Sequence, residues 1–159
     1  MNQARAAFVT WADTQILRDG GFQVVTGDSY EGLFRMLLAK RFDLFSRSVD
    51  EAYREHDERK AQLPDMAVDD KLLLYFPTTR YFFVQRSAAG DQLAARIEEG
   101  LERMIRDGRF DAHFRKYKGP MIDRANLKGR RVFRIGNPFM TPQTPFNRPE
   151  LWFDPLAGR

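Results

Sequence analysis

Residues 29–51, SYEGLFRMLLAKRFDLFSRSVDE, decide the fold class. Tyr30, Leu33, Phe34, Leu37 and Leu38 recur at i, i+3, i+4, i+7 and i+8, the spacing of one buried helical face. Ser29 stands where an N-cap belongs, and Glu31 puts a carboxylate in the first turn, where the helix dipole favours one. Lys40 and Arg41 close the other end, where cations are favoured. Phe42 to Phe45 is a short apolar run that reads as a buried strand, and Ser46-Arg47-Ser48 follows at its carboxyl end. In open α/β sheets that edge is where ligands bind.

Upstream, Ala6 to Thr10 reads as a strand, a helix runs from Trp11 to about Arg18, and Gly20-Gly21 ends it. Phe22 to Val25 is the next strand, and Thr26-Gly27-Asp28 turns into the central helix. Strand, helix, strand, helix, strand is the alternation of an α/β fold, a mostly parallel sheet flanked by helices. Downstream, a helix follows Ser48 to about Lys60, with Val49, Ala52, Tyr53 and His56 inward and Glu55 among the charges on the other face. Met66–Val68, Leu72–Phe76 and Tyr81–Gln85 read as strands. Gly90-Asp91 caps a helix to about Asp107 with an apolar stripe of Leu93, Ala94, Ile97, Leu101, Met104 and Ile105. Phe110, Phe114 and Tyr117 mark a short helix ended by Lys118-Gly119-Pro120. One more strand, Val132–Ile135, precedes a stretch with five prolines, read as an extended arm pinned by Phe139, Phe146, Leu151, Trp152 and Phe153.

The 159 residues, 43% hydrophobic and 30% charged, suit one domain or two small lobes with a real core. The absence of cysteine excludes disulfides, thiolate metal sites and cysteine catalysis. No apolar run approaches the roughly 20 residues of a membrane span, and the polar start MNQARAA lacks the apolar core of an export signal. The net charge of +4 is concentrated between Arg115 and Arg134, where Arg115, Lys116, Lys118, Arg124, Lys128, Arg130, Arg131 and Arg134 face only Asp123. No aromatic stacking pattern accompanies that run, so it reads as a solvated tail rather than a nucleic-acid surface.

Three stretches together resemble the second half of the periplasmic solute-binding proteins of ABC transporters, the family that binds amino acids and other small polar solutes. YEGLFRMLLAKRFDLFSRSVDEA is similar to the family's helix ending in L-x-x-G-R-x-D and the strand after it. LLLYFPTTRYFFVQR resembles the strand that crosses the hinge between lobes, and DQLAARIEEGLERMIRDGRFDAHFRKY the closing helical pair. The resemblance implies one lobe of a type II periplasmic-binding-protein-like fold over residues 6–86. A helical pair, 87–118, would return to a first lobe that the chain lacks, and 119–159 would be a Pro/Arg-rich extended tail. It further implies a periplasmic location and an ABC permease as partner. The Leu93–Ile105 face would then be covered within the chain, by a second copy in a homodimer, or by the missing first lobe.

The candidate ligand-binding residues are Ser46, Arg47, Ser48, Asp13, Thr14 and Trp11. A guanidinium at a strand end grips a carboxylate or phosphate at two points, and the hydroxyls add donors and acceptors; the alternative is that Arg47 pairs with Asp50, Glu51 or Asp43. Asp13 and Thr14 open a helix whose N–H groups suit an anion, or serve as an ordinary N-cap. Trp11 stacks on a ligand or fills the core edge. The resemblance puts an aspartate near Ser48 to hold an amino group; serine there disfavours a standard amino acid and favours an anionic solute. It makes Asp43 a structural aspartate that bonds backbone. No G-x-S-x-G, H-E-x-x-H or P-loop is present, and His56 and His113 lack convergent partners. The reading is non-catalytic binding of a small polar or anionic solute, with no cofactor and no metal. A sensor module of the same fold, or an assembly domain without a ligand, is the alternative.

Overall fold

The computed structural model describes the backbone of residues 5–8 and the whole of residues 12–156. Its elements in chain order are β1 (Arg5–Phe8), α1 (Ala12–Asp19), β2 (Val24–Gly27), α2 (Tyr30–Leu38), β3 (Leu44–Phe45), α3 (Val49–Arg59), β4 (Leu72–Tyr75), α4 (Ala88–Arg106), α5 (Arg109–Ala125) and β5 (Arg131–Arg134). Short 3-10 turns occupy Leu127–Gly129 and Pro149–Leu151. The result is a mixed α/β chain with parallel sheets flanked by helices.

Local chemistry sets the first helices. Ser29 caps α2 by accepting the Gly32 N–H at 3.2 Å. Leu33 and Phe34 are its buried positions; Leu33 and Phe42 form the core, with Val25, Met36, Leu37 and Phe45 packed around them. Full burial of a leucine or phenylalanine contributes about 1.5–3 kcal/mol. Leu38, expected on that face, is 45% exposed. Both α1 and α2 end in Schellman motifs. After α1, Phe22 N–H reaches Leu17 C=O and Gly21 N–H reaches Arg18 C=O, with Gly21 at φ 82°. After α2, Arg41 N–H reaches Met36 C=O and Lys40 N–H reaches Leu37 C=O, with Lys40 at φ 53°. Lys40 thus holds the left-handed position that the L-x-x-G-R-x-D pattern gives to glycine.

The chain divides into two compact units, residues 1–77 with 129–142, and residues 78–128 with 143–159. The first unit holds a three-stranded parallel sheet in the order β2-β1-β3, with Arg5 opposite both Val24 and Leu44. From β1 the chain steps one way to β2, then passes back across β1 to β3. The switch in strand order therefore lies between β1 and β3. A second sheet in this unit pairs β4 with β5 in parallel, Leu72 opposite Arg131. Arg130 fastens it: its guanidinium donates to the carbonyls of Asp69 and Leu72 and to the Tyr53 hydroxyl of α3. Arg130 is half-buried, so the basic run is not a solvated tail throughout.

The second unit is helical. Ser87, not Gly90-Asp91, caps α4, accepting the Gly90 N–H at 3.1 Å. Leu93 is 50% exposed, whereas Ile97, Leu101, Met104 and Ile105 are half-buried. The following helix does not stop at Gly119-Pro120 but runs on to Ala125. Proline's fixed φ is compatible with a helix, and buried Ala125 with half-buried Met121 and Ile122 repays the lost N–H. The closing stretch packs on this unit: Arg148 makes a two-point pair with Glu102, Phe153 meets Phe114 at 5.3 Å, and Trp152 donates to the Pro145 carbonyl at 3.0 Å.

Two expected strands are not formed. Residues 66–68 are irregular, because Met66 N–H turns back to Leu63 C=O. Residues 81–85 pair with no described strand; Tyr81, Phe82 and Phe83 are 63%, 70% and 94% exposed. Strand propensity without a ladder partner does not make a strand. Among the described residues no helix is long and apolar enough to cross a membrane.

Candidate functional site

The carboxyl end of β3 delivers Ser46, Arg47 and Ser48 directly into the N-terminus of α3, and the N-terminus of α1 brings in Asp13 and Thr14 after β1. These two helix starts flank the switch between β1 and β3, the position at which open parallel sheets take ligands. Because β1 pairs with β3 in parallel, the residues that follow the two strands leave the sheet at the same edge, and there Glu51 raises and Arg47 lowers the Asp13 carboxyl. Thr14 is buried, Asp13 and Ser46 are half-buried, and Ser48 is exposed. Trp11 lies outside the described residues.

The geometry around Arg47 is tight. Its Nε and Nη2 donate to the two carboxylate oxygens of Glu55 at 2.8 and 2.6 Å, a fork-to-fork pair. The Arg47 and Glu55 side chains are 9% and 3% exposed. Glu51 approaches the same guanidinium at 3.2 Å. Its carboxylate also accepts the backbone N–H of Ser48 at 3.2 Å and the Ser48 hydroxyl at 2.8 Å, closing the start of α3 as the N3 acid of a capping box does. The Tyr30 hydroxyl donates to Glu55. The rings of Tyr30 and Phe45 lie 5.8 and 5.4 Å from the guanidinium carbon. Neighbouring Arg59 sits 4.3 Å over Phe34 and pairs with Glu31 at 2.7 Å.

These contacts set the protonation states. Burial alone would raise the Glu55 carboxyl, but hydrogen bonds from Arg47 and Tyr30 and the Arg47 charge hold it below its ordinary value. Burial likewise works against the Arg47 cation, and the Glu55 hydrogen bonds and charge outweigh it, so Arg47 is raised. Asp13 goes the opposite way to Glu55: burial and then the Glu51 charge raise it, opposed by Arg47. The Arg47 guanidinium therefore meets Glu55 at 2.6 Å and Glu51 at 3.2 Å and acts on the charge of Asp13.

The arrangement can hydrogen-bond and orient a polar group. Glu55 and Tyr30 are the members that the sequence reading passed over. The available signal was the spacing Arg47, Glu51, Glu55, which places an arginine and two acids on one helical side. The partners foreseen for Arg47 were Asp50, Glu51 and Asp43; Glu51 takes part, but the main partner is Glu55. Asp43 is exposed. Among the described residues no group of three or more His, Asp or Glu side chains is placed to hold a metal ion. His113 lies 4.6 Å from the Tyr117 ring, and His56 faces Asp57 at 3.7 Å. No protein-family model, curated protein or solved structure matches this chain.

Proposed function

We propose that the chain is a solute-binding lobe that holds a small polar solute between the carboxyl ends of β1 and β3, without covalent chemistry. The observation that carries this is the convergence of Asp13 and Thr14 with Ser46, Arg47 and Ser48 at the switch point of a parallel sheet. The hydroxyl, carboxylate and guanidinium groups gathered there supply both donors and acceptors of hydrogen bonds. The sequence resemblance extends the proposal to the substrate-binding part of an ABC-type transporter, with a permease as partner and the periplasm as setting. Self-association through the Leu93–Ile105 face belongs to the same proposal, and light scattering on the purified chain tests it: a strict monomer counts against it.

Binding itself is tested by titrating the 15N-labelled chain with ethanolamine, serine, a neutral sugar and succinate. Saturable shifts at residues 13–14 and 46–48, weakened by S46A with S48A, are the expected result. A second reading, an assembly domain without a ligand, draws on the pairing of Arg47 by Glu55. It gains if no solute of the panel moves those amides.

A further inference from the structure

Arg47 is the one cation that the sequence places at the strand end, and a carboxylate already sits on it. The two Glu55 oxygens lie 2.8 and 2.6 Å from Nε and Nη2, the two-point geometry in which a free carboxylate binds a guanidinium. Glu55 belongs to α3, which begins right after Arg47, so both partners are held by one short stretch of chain. With both side chains nearly closed to water, displacing Glu55 would part a buried carboxylate from the guanidinium that pairs it at two points. Glu51 and Asp13 add negative charge beside the same guanidinium.

We infer that Glu55 is a resident counter-anion: it occupies on Arg47 the seat that a solute's carboxylate would take, and so makes the crevice reject anionic solutes. The inference rests on the solute-binding reading and narrows it to polar solutes that are neutral or cationic. Arg47 acts here as a positioning residue, holding α3 against the strand end, while charge selectivity resides in Glu55. An invading anion would meet the Glu55 and Glu51 carboxylates already on the Arg47 guanidinium, and like-charge juxtaposition is how binding sites exclude the wrong partner.

The test uses succinate as the anionic probe and ethanolamine as the cationic one, by titration calorimetry. E55Q keeps the shape of the side chain and removes its charge. It is expected to bind succinate at least about tenfold more tightly than the unaltered chain, a difference of about 1.4 kcal/mol, and R47M combined with E55Q is expected to abolish the gain. E55Q without any gain in succinate affinity overturns the inference. Should E55Q fail to fold, the unaltered chain answers alone. Its Arg47 Nε–H signal is expected to stay in place as succinate is raised, and its displacement by succinate overturns the inference. Failure of the underlying reading looks different: ethanolamine and the neutral solutes then leave residues 13–14 and 46–48 unmoved, whatever E55Q does with succinate.

Discussion

Arg47 and Glu55 form a nearly buried ion pair in the first unit. Glu55→Ala would take from the buried Arg47 cation its two-point partner, and breaking a buried pair costs about 3–5 kcal/mol, of which Glu51 at 3.2 Å offsets a part. Replacing both partners with apolar residues (R47M with E55L) is expected to recover most of that loss, and a urea-unfolding double-mutant cycle measures both. Asp13 pulls in the opposite direction. Its carboxyl is raised by burial and by Glu51, so its contribution to stability is complete below the ordinary carboxylate range and is lost as pH rises through the folded value. Asp13→Asn is therefore expected to raise the unfolding midpoint at pH 7, by a few tenths of a kcal/mol as for other half-exposed charges, and to have no such effect at pH 3. Lys40 carries backbone strain: a left-handed residue with a side chain costs roughly 1–2 kcal/mol, of which glycine's flexibility in the unfolded chain gives back part. Lys40→Gly should stabilise by about 0.5 kcal/mol in the same urea measurement. How legible these residues were follows from their type. Ser29, Leu33 and Phe34 were readable because local rules, a cap and a period, decide them. Glu55 was not, because hydropathy assigns a glutamate to solvent, and it is the Arg47 and Tyr30 partners that turn it inward. Leu38 fails for the converse reason: the helical period places it inward, but it closes the last turn of α2 and is 45% exposed.

Among the elements, those marked by a cap, a helical period or a short apolar run were the readable ones, β4 and β5 included, which pair although far apart in sequence. The order β1-α1-β2-α2-β3-α3 followed from periodicity and turn chemistry alone. The expected strand at residues 81–85 did not, since a strand exists only as a pairing and nothing in its own residues reveals whether a ladder is present. Helix α5 misled in the other direction. Gly119-Pro120 is a strong stop by local rules, yet buried Ala125 beyond it makes continuation worthwhile. Proline inside a helix costs up to about 3 kcal/mol, so Pro120→Ala is expected to stabilise the second unit by roughly 1–3 kcal/mol, read as slower amide exchange across Lys116–Arg124. At the start of α4, a Cβ on Gly90 would run into the Gln85 carbonyl, a backbone atom that cannot swing away. Glycine there is demanded by close approach, not by the capping role its position in the sequence suggests.

Over the whole molecule, the proline-rich end is not a single extended arm. Residues 129–142 complete the first unit, through β5 and through the Asn137 side chain, which donates to the Pro77 carbonyl at 2.7 Å. Residues 143–156 instead cover helices of the second unit, with Phe146 stacked on Trp152 at 5.1 Å and Phe153 on Phe114. Phe153→Ala is expected to speed amide exchange in α5 while leaving β1, β2 and α2 unchanged. Equal acceleration in both would show that the two units unfold as one. Composition revealed that this stretch is irregular and aromatic, but not where it divides, because that depends on which surfaces the rest of the chain leaves uncovered.

The pairing of β4 with β5 has a consequence for synthesis. All of residues 78–128 must leave the ribosome before Arg131 can reach Leu72, and closing so long a loop is entropically slow. At about 5–20 residues per second, β4 spends seconds as an apolar strand without a mate, next to the aromatic run Tyr81-Phe82-Phe83. That interval, rather than the finished fold, is when this chain is most open to capture by chaperones or to aggregation.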